Sequence, residues 1–187
     1  MQISKINKEE KNPLLALAKE AIKAKLEKRK VKIDETKISD ALKQKRGTFV
    51  TLEIDGRLRG CIGHILPVQE IYNDVIENAL SAAFADPRFS PLTKDELENT
   101  NIEISILALP KKLNYQSPAQ LIKVLGDEKP GVILKSGLNQ ATFLPQVWED
   151  ITSAKDFLTH LCLKAGLAPD EWTRNVEIET YVVDKIK

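Results

Sequence analysis

Residues 47–65, GTFVTLEIDGRLRGCIGHI, constrain the fold more than any other stretch. GTFVTLEI is rich in β-branched and aromatic side chains, and Asp55-Gly56 after it is a hairpin signal. A second strand is expected through Leu58 to Ile65. Two strands joined this tightly are antiparallel neighbours, and the rest of the chain must cover one of their faces. Asn12 can cap a helix over about 12–29 and Pro13 can open it, with Leu14, Leu15, Ala18, Ala21, Ile22 and Leu26 on one side. Pro67 precedes a second helix over about 68–84, whose apolar stripe is broad enough to lie against a sheet. Pro87 ends it.

Further strands follow. NIEISILAL at 101–109 alternates, with Ile102, Ile104, Ile106 and Ala108 facing one way and Glu103, Ser105 and Leu107 the other. A strand pair is expected at 131–135 and 140–144, a third helix at about 153–165 stopping at Gly166, and a last strand at 176–183. Hairpin-like strand pairs between helices, without a βαβ rhythm, predict an α+β fold. The expected form is an antiparallel sheet flanked by helices, in two closely joined lobes or half-repeats. No Pro/Gly/Ser-rich linker divides the 187 residues, so one domain is expected over 1–187, with its core at about 10–184.

Composition removes several function classes. With 42% hydrophobic and 29% charged residues the chain has enough apolar surface to fold, which excludes disorder as its main description. No stretch approaches the ~18 apolar residues of a membrane span, and the start, MQISKINKEEKN, has no signal-peptide region. Cys61 and Cys162 cannot build a disulfide framework, so a cytoplasmic location is the expectation. The net charge of +1 gives no global field for nucleic acid or membrane. Residues 1–49 do carry 14 Lys/Arg against 7 Asp/Glu. Their densest run, Lys19 to Lys32, interleaves Glu20 and Glu27 and contains no aromatic residue to stack on bases. It reads as a solvated helix face, and nucleic acid is not an expected partner.

Three segments could carry chemistry. In Leu58-Arg59-Gly60-Cys61-Ile62-Gly63-His64, two glycines flank a cysteine within a strand. Such a place can expose a sulfur and leave backbone N–H groups for an anion. Strand alternation puts Arg59, Cys61 and Gly63 on one side and Gly60, Ile62 and His64 on the other, making Arg59 the better partner for the thiol. The competing reading is a small buried hydrophobe, with glycines making room for packing. The second segment is Asp86-Pro87-Arg88, where Arg88 either binds an anion or is clamped by Asp86. In the third, Pro145-Gln146-Val147-Trp148, Gln146 offers both a donor and an acceptor. A zinc site is not expected, because His160 and Cys162 point about 200° apart on a helix.

Taken in order, LRGCIG, Asp86-Pro87-Arg88-Phe89, and Thr142-Phe143-Leu144-Pro145-Gln146-Val147-Trp148 resemble the AMMECR-type domain family over about residues 10–184. The resemblance implies an α+β fold with antiparallel sheet. It also implies a functional cleft lined by Arg59, Gly60, Cys61 and Gly63, with Asp86, Arg88 and Gln146 as neighbours. It supplies no reaction and no cofactor. It does imply association with Memo-type and radical-SAM proteins in a modification or biosynthetic system. One departure is Glu128-Lys129-Pro130, where Asp-Gly or His-Gly is expected in relatives.

Two functions follow as expectations. In the first, the chain is an accessory protein whose cleft recognises a small anionic ligand or a partner protein. In the second, Cys61 is a nucleophile for acyl or alkyl transfer, with His64 or His160 as its base.

Overall fold

A computed structural model describes residues 8–34, 36, 38–174 and 176–187. The start of the chain, read above as lacking a signal-peptide region, lies outside these through residue 7. Two compact units form, one of residues 1–108 with 184–187 and one of residues 109–183.

The first unit opens with α1 (Lys8–Leu26), which starts a turn before the expected cap and contains Pro13. The proline removes one backbone hydrogen bond near the start. The buried stripe of Leu14, Ala18, Ala21 and Ile22 still anchors the helix. It stops at Leu26 rather than 29 because Lys28 turns left-handed (φ 56) and the Arg29 N–H returns to the Ala24 carbonyl at 2.9 Å. On its polar side Arg29 pairs with Glu20 and Glu27.

β1 (Thr48–Ile54) and β2 (Arg57–Gly63) form the expected hairpin, with Asp55 and Gly56 both at positive φ. β3 (Thr100–Leu107) pairs with the other side of β1, and β8 (Val183–Ile186), labelled by chain order, completes a sheet ordered β2-β1-β3-β8. α2 (Ile71–Phe84) packs on this sheet through Val75 and Ala79, which share a core with Val50, Leu52, Ile104 and Ile106. The short α3 (Lys94–Glu98) begins with a capping box of Thr93 and Glu96.

The second unit has its own sheet. Its elements are β4 (Lys111–Lys112), α4 (Pro118–Glu128), β5 (Gly131–Ser136), β6 (Asn139–Phe143), α5 (Val147–Asp150), α6 (Ala154–Lys164) and β7 (Glu177–Tyr181), with the strands ordered β4-β7-β5-β6. Trp148 stacks on Phe157 at 3.8 Å within a core that includes Leu121, Leu125, Leu161 and Cys162. Two four-stranded sheets thus replace a single one, and the fold remains α+β with antiparallel pairing. The last strand expected at 176–183 is also two: it breaks at Val182, β7 joining the second sheet and β8 the first.

α4 ends on Lys129, held left-handed at φ 48. Glycine takes that conformation freely, whereas a residue with a Cβ carries strain of about 1 kcal/mol there. Lys129→Gly is therefore expected to raise stability by up to about 1 kcal/mol, read as a higher urea midpoint at unchanged slope.

Candidate functional site

The site grows from the two faces of β2. Val50 and Ile62 pair across the hairpin and belong to the helix-side core. Thr51 and Cys61, one residue along on each strand, therefore face the other way. Thr51 Oγ1 donates to Cys61 Sγ at 3.4 Å. Cys61 is half-buried, whereas Cys162 is fully enclosed and burial pushes its thiol pKa up.

The register shifts near Arg59. Leu52 faces Gly60 while Glu53 faces Leu58, so Arg59 is an extra residue in β2. A bulge of this kind re-aims a side chain. Arg59 Nε and Nη2 reach the two Glu96 oxygens at 2.8 and 3.1 Å, and Nη2 also donates to the Ser90 carbonyl at 2.9 Å. Arg59 was expected to act on the thiol; its guanidinium is committed to Glu96 instead. The Arg59 hydrogen bond, with help from the Thr93 N–H, holds the Glu96 carboxyl at about 2, against an ordinary 4.5. Arg59 Nη1 is buried without a hydrogen-bond partner among the described residues.

β2 lies at one end of its sheet, so Cys61 turns its backbone groups away from β1. Asp86, just past α2, accepts the Cys61 N–H at 2.9 Å. Arg88 Nη2 donates to the Cys61 carbonyl at 3.3 Å. The two side chains thus satisfy one edge residue as a neighbouring strand would. They also bind each other: Arg88 Nε and Nη2 donate to Asp86 at 3.0 and 2.7 Å, and the Arg88 N–H adds a third bond at 3.1 Å. Arg88 holds the Asp86 carboxyl well below the usual range, and Asp86 raises the Arg88 pKa in return. Asp86 is buried, yet the Arg88 side chain is 53% exposed. Phe89 lies between the two guanidinium groups, its centroid 5.7 Å from Arg59 and 5.5 Å from Arg88.

The glycines serve close packing. A Cβ on Gly60 would sit 2.2 Å from the Ala82 carbonyl of α2, and one on Gly63 would sit 2.2 Å from the Phe49 ring. The Cys61 N–H, expected to be available to an anion, is taken by Asp86.

Arg59, Gly60, Cys61, Gly63, Asp86 and Arg88 are brought together on and beside β2. His64 is not brought to Cys61. Its Nδ1 lies 2.7 Å from Asp74 Oδ1 on α2, on the helix side of the sheet. His160 belongs to the second unit, where its Nδ1 is 2.8 Å from the Asp156 carbonyl. Gln146 also belongs to that unit, directly before α5, and its Oε1 is buried without a partner among the described residues. Sequence reading gave no role to Thr51, Glu96 and Asp74. Only Glu96 carried a local signal, the Thr93-x-x-Glu96 capping box.

The fold and the clamped strand define an α+β protein with a cysteine-centred candidate site at a sheet edge. The family model described as AMMECR1 matches residues 15–186, and the chain belongs to the AMMECR1 family. It is 40% identical to a Methanopyrus kandleri protein, over 96% of this chain and 88% of that one. It is 37% identical to a Nanoarchaeum equitans protein, over 91% of this chain and 95% of that one. The crystal structure of an uncharacterised Pyrococcus horikoshii protein superposes with a TM-score of 0.88 at 29% identity, covering 96% and 92% of the two chains. Among the described residues no helix is long and apolar enough to cross a membrane.

Two outcomes follow. Gly60→Ala drives a methyl into the Ala82 carbonyl and is expected to cost about 2–3 kcal/mol in urea unfolding. Glu96 and Asp86 bind protons less readily folded than unfolded. The Glu96 contribution is complete above the ordinary value of 4.5 and is lost as pH falls through about 2, and the Asp86 contribution is lost at lower pH still. Glu96→Gln should flatten the stability curve in that window and leave its slope at neutral pH unchanged.

Proposed function

We propose that this protein is an accessory binding protein whose LRGCIG strand, with Asp86 and Arg88, recognises an anionic group carried by a small ligand or by a partner protein. Arg88 carries this reading. Its Nε and Nη2 are fixed on Asp86 while half of the side chain stays exposed. A guanidinium held in place and still reachable suits carboxylate or phosphate, because little side-chain entropy is lost on binding. Arg59 stiffens the strand through Glu96, and its Nη1 is a buried donor with no hydrogen-bond partner among the described residues. Gly60 and Gly63 keep the strand close to its supports, and Gln146 joins the set on the family pattern. Memo-type and radical-SAM proteins are the partners that the family resemblance favours, in a shared modification or biosynthetic system, with the protein acting in the cytoplasm.

The alternative reading makes Cys61 a nucleophile for acyl or alkyl transfer. It is supported by the half-buried thiol and the Thr51 hydroxyl beside it. His64, expected as its base, lies instead on the other face with Nδ1 at Asp74.

Thermal shift with phosphate and with citrate tests the binding reading. Both ions should raise the melting temperature of the wild type, Arg88→Lys should lose most of that shift, and Cys61→Ser should keep it. Alkylation of Cys61 by iodoacetamide across pH decides the alternative. An apparent pKa well below the ~8.5 of a free thiol, together with no ion-induced shift, would replace the binding reading by the nucleophile.

A further inference from the structure

Asp74 is the most deeply buried carboxylate among the described residues of the first unit, and neither reading above uses it. It sits on α2 with its side chain 1% exposed. Its Oδ2 accepts the Thr48 N–H at 2.9 Å, the Thr48 hydroxyl at 2.6 Å and Asn78 Nδ2 at 3.0 Å. Its Oδ1 accepts Gln69 Nε2 at 3.1 Å and lies 2.7 Å from His64 Nδ1. Backbone N–H and amide NH2 groups can only donate. So many donors converging on one carboxyl group suit the acceptor-only form. Facing an acceptor-only carboxylate, Nδ1 of His64 is the nitrogen that donates.

The network favours the Nδ1–H tautomer. With the proton on Nδ1, a neutral imidazole carries its lone pair on Nε2. Nε2 has no hydrogen-bond partner among the described residues, and the His64 side chain is 38% exposed. Behind it, Asn78 ties Asp74 to β1 through the Thr48 carbonyl and hydroxyl, both at 3.1 Å. Gln69 also donates to Glu77 at 2.6 Å, which leaves that acid joined to the dyad through one amide. An imidazole oriented by a buried carboxylate, with its far nitrogen open, is arranged to take a proton. The imidazolium that forms keeps its Nδ1–H on Asp74, whose charge stabilises it.

We infer that His64 and Asp74 form a proton-accepting site of their own on the helix side of β2, separate from Cys61, for a small molecule that presents an acidic O–H or N–H group. In the step, that O–H or N–H bond breaks, its proton joins the Nε2 lone pair, and the bonding electrons stay on the ligand heteroatom. Asp74 is the positioning residue. The site does not depend on the anion-binding role proposed for Arg88.

The test begins with the full-length wild-type chain, so no variant need fold for it to be decisive. Nitrogen-proton correlation spectra above the imidazole titration should show His64 as the Nδ1–H tautomer. Finding Nε2–H as the major form overturns the inference. Diethyl pyrocarbonate, an electrophile for the unprotonated ring nitrogen, then reads accessibility, followed by peptide mass spectrometry. His64 should be modified in the folded protein, and prior protonation should protect it. A folded Asp74→Asn variant should react at least about tenfold more slowly, because the wrong nitrogen then holds the proton. Cys61→Ser and Arg88→Lys should leave the His64 rate unchanged, so loss of ion binding at Arg88 and loss of this site are separate results. Resistance of His64 in the folded wild type, with His160 modified, would also overturn it.

Discussion

The contact between Gly60 and the Ala82 carbonyl sets the geometry of the first unit. A strand and a helix can approach this closely only where the strand has no side chain, and 2.2 Å from an added Cβ leaves no room for even a methyl. Once α2 is seated at that depth, its two ends are placed. The N-terminal half brings Asp74 under Thr48 and His64, and the exit brings Asp86 to the Cys61 backbone. One helix thus delivers a buried carboxylate to each side of the same strand.

Burying carboxylates is costly unless donors surround them. Asp86 meets this with Arg88 and two backbone N–H groups, and Asp74 with Thr48, Asn78, Gln69 and His64. The two solutions differ in what they leave over. Around Asp86 the counter-charge is a permanent cation, so the clamp is rigid and electrically satisfied. Around Asp74 the ionisable donor among the described residues is an imidazole, whose Nε2 has no hydrogen-bond partner there. The strand therefore has an ion-paired clamp on one flank, with half of the Arg88 side chain exposed, and an imidazole on its helix side.

Much of this was legible in the residues. Asp55-Gly56 announced the hairpin, and strand alternation already placed His64 opposite Cys61. The pairing of Asp86 with Arg88 was open to reading because the two are neighbours in sequence. The rest depended on contacts between distant residues. Gly60 beside Arg59 is the kind of residue that marks a bulge, but nothing there names Glu96 as the partner, and nothing near His64 names Asp74. α4 was missed although Ser117 caps it and Pro118 follows, because its buried residues, Leu121 and Leu125, make too short an apolar stripe to stand out. The helix ends at Lys28 and Lys129 take a left-handed conformation with lysine, where sequence rules look for glycine.

The break at Val182 reaches into biosynthesis. A domain made first on the ribosome often folds first, while the rest of the chain is still being added. Here the first sheet takes β8 from residues 183–186, and its lysines Lys185 and Lys187 reach the buried Glu103 of β3. The first unit cannot close its sheet, nor neutralise that carboxylate, until the whole second unit has been synthesised. Folding of one unit after the other would therefore leave the first sheet a strand short until residues 183–186 are made. The N-terminal unit would wait with β3 as a provisional edge, and a nascent chain stalled before residue 184 would leave that edge open to other strands.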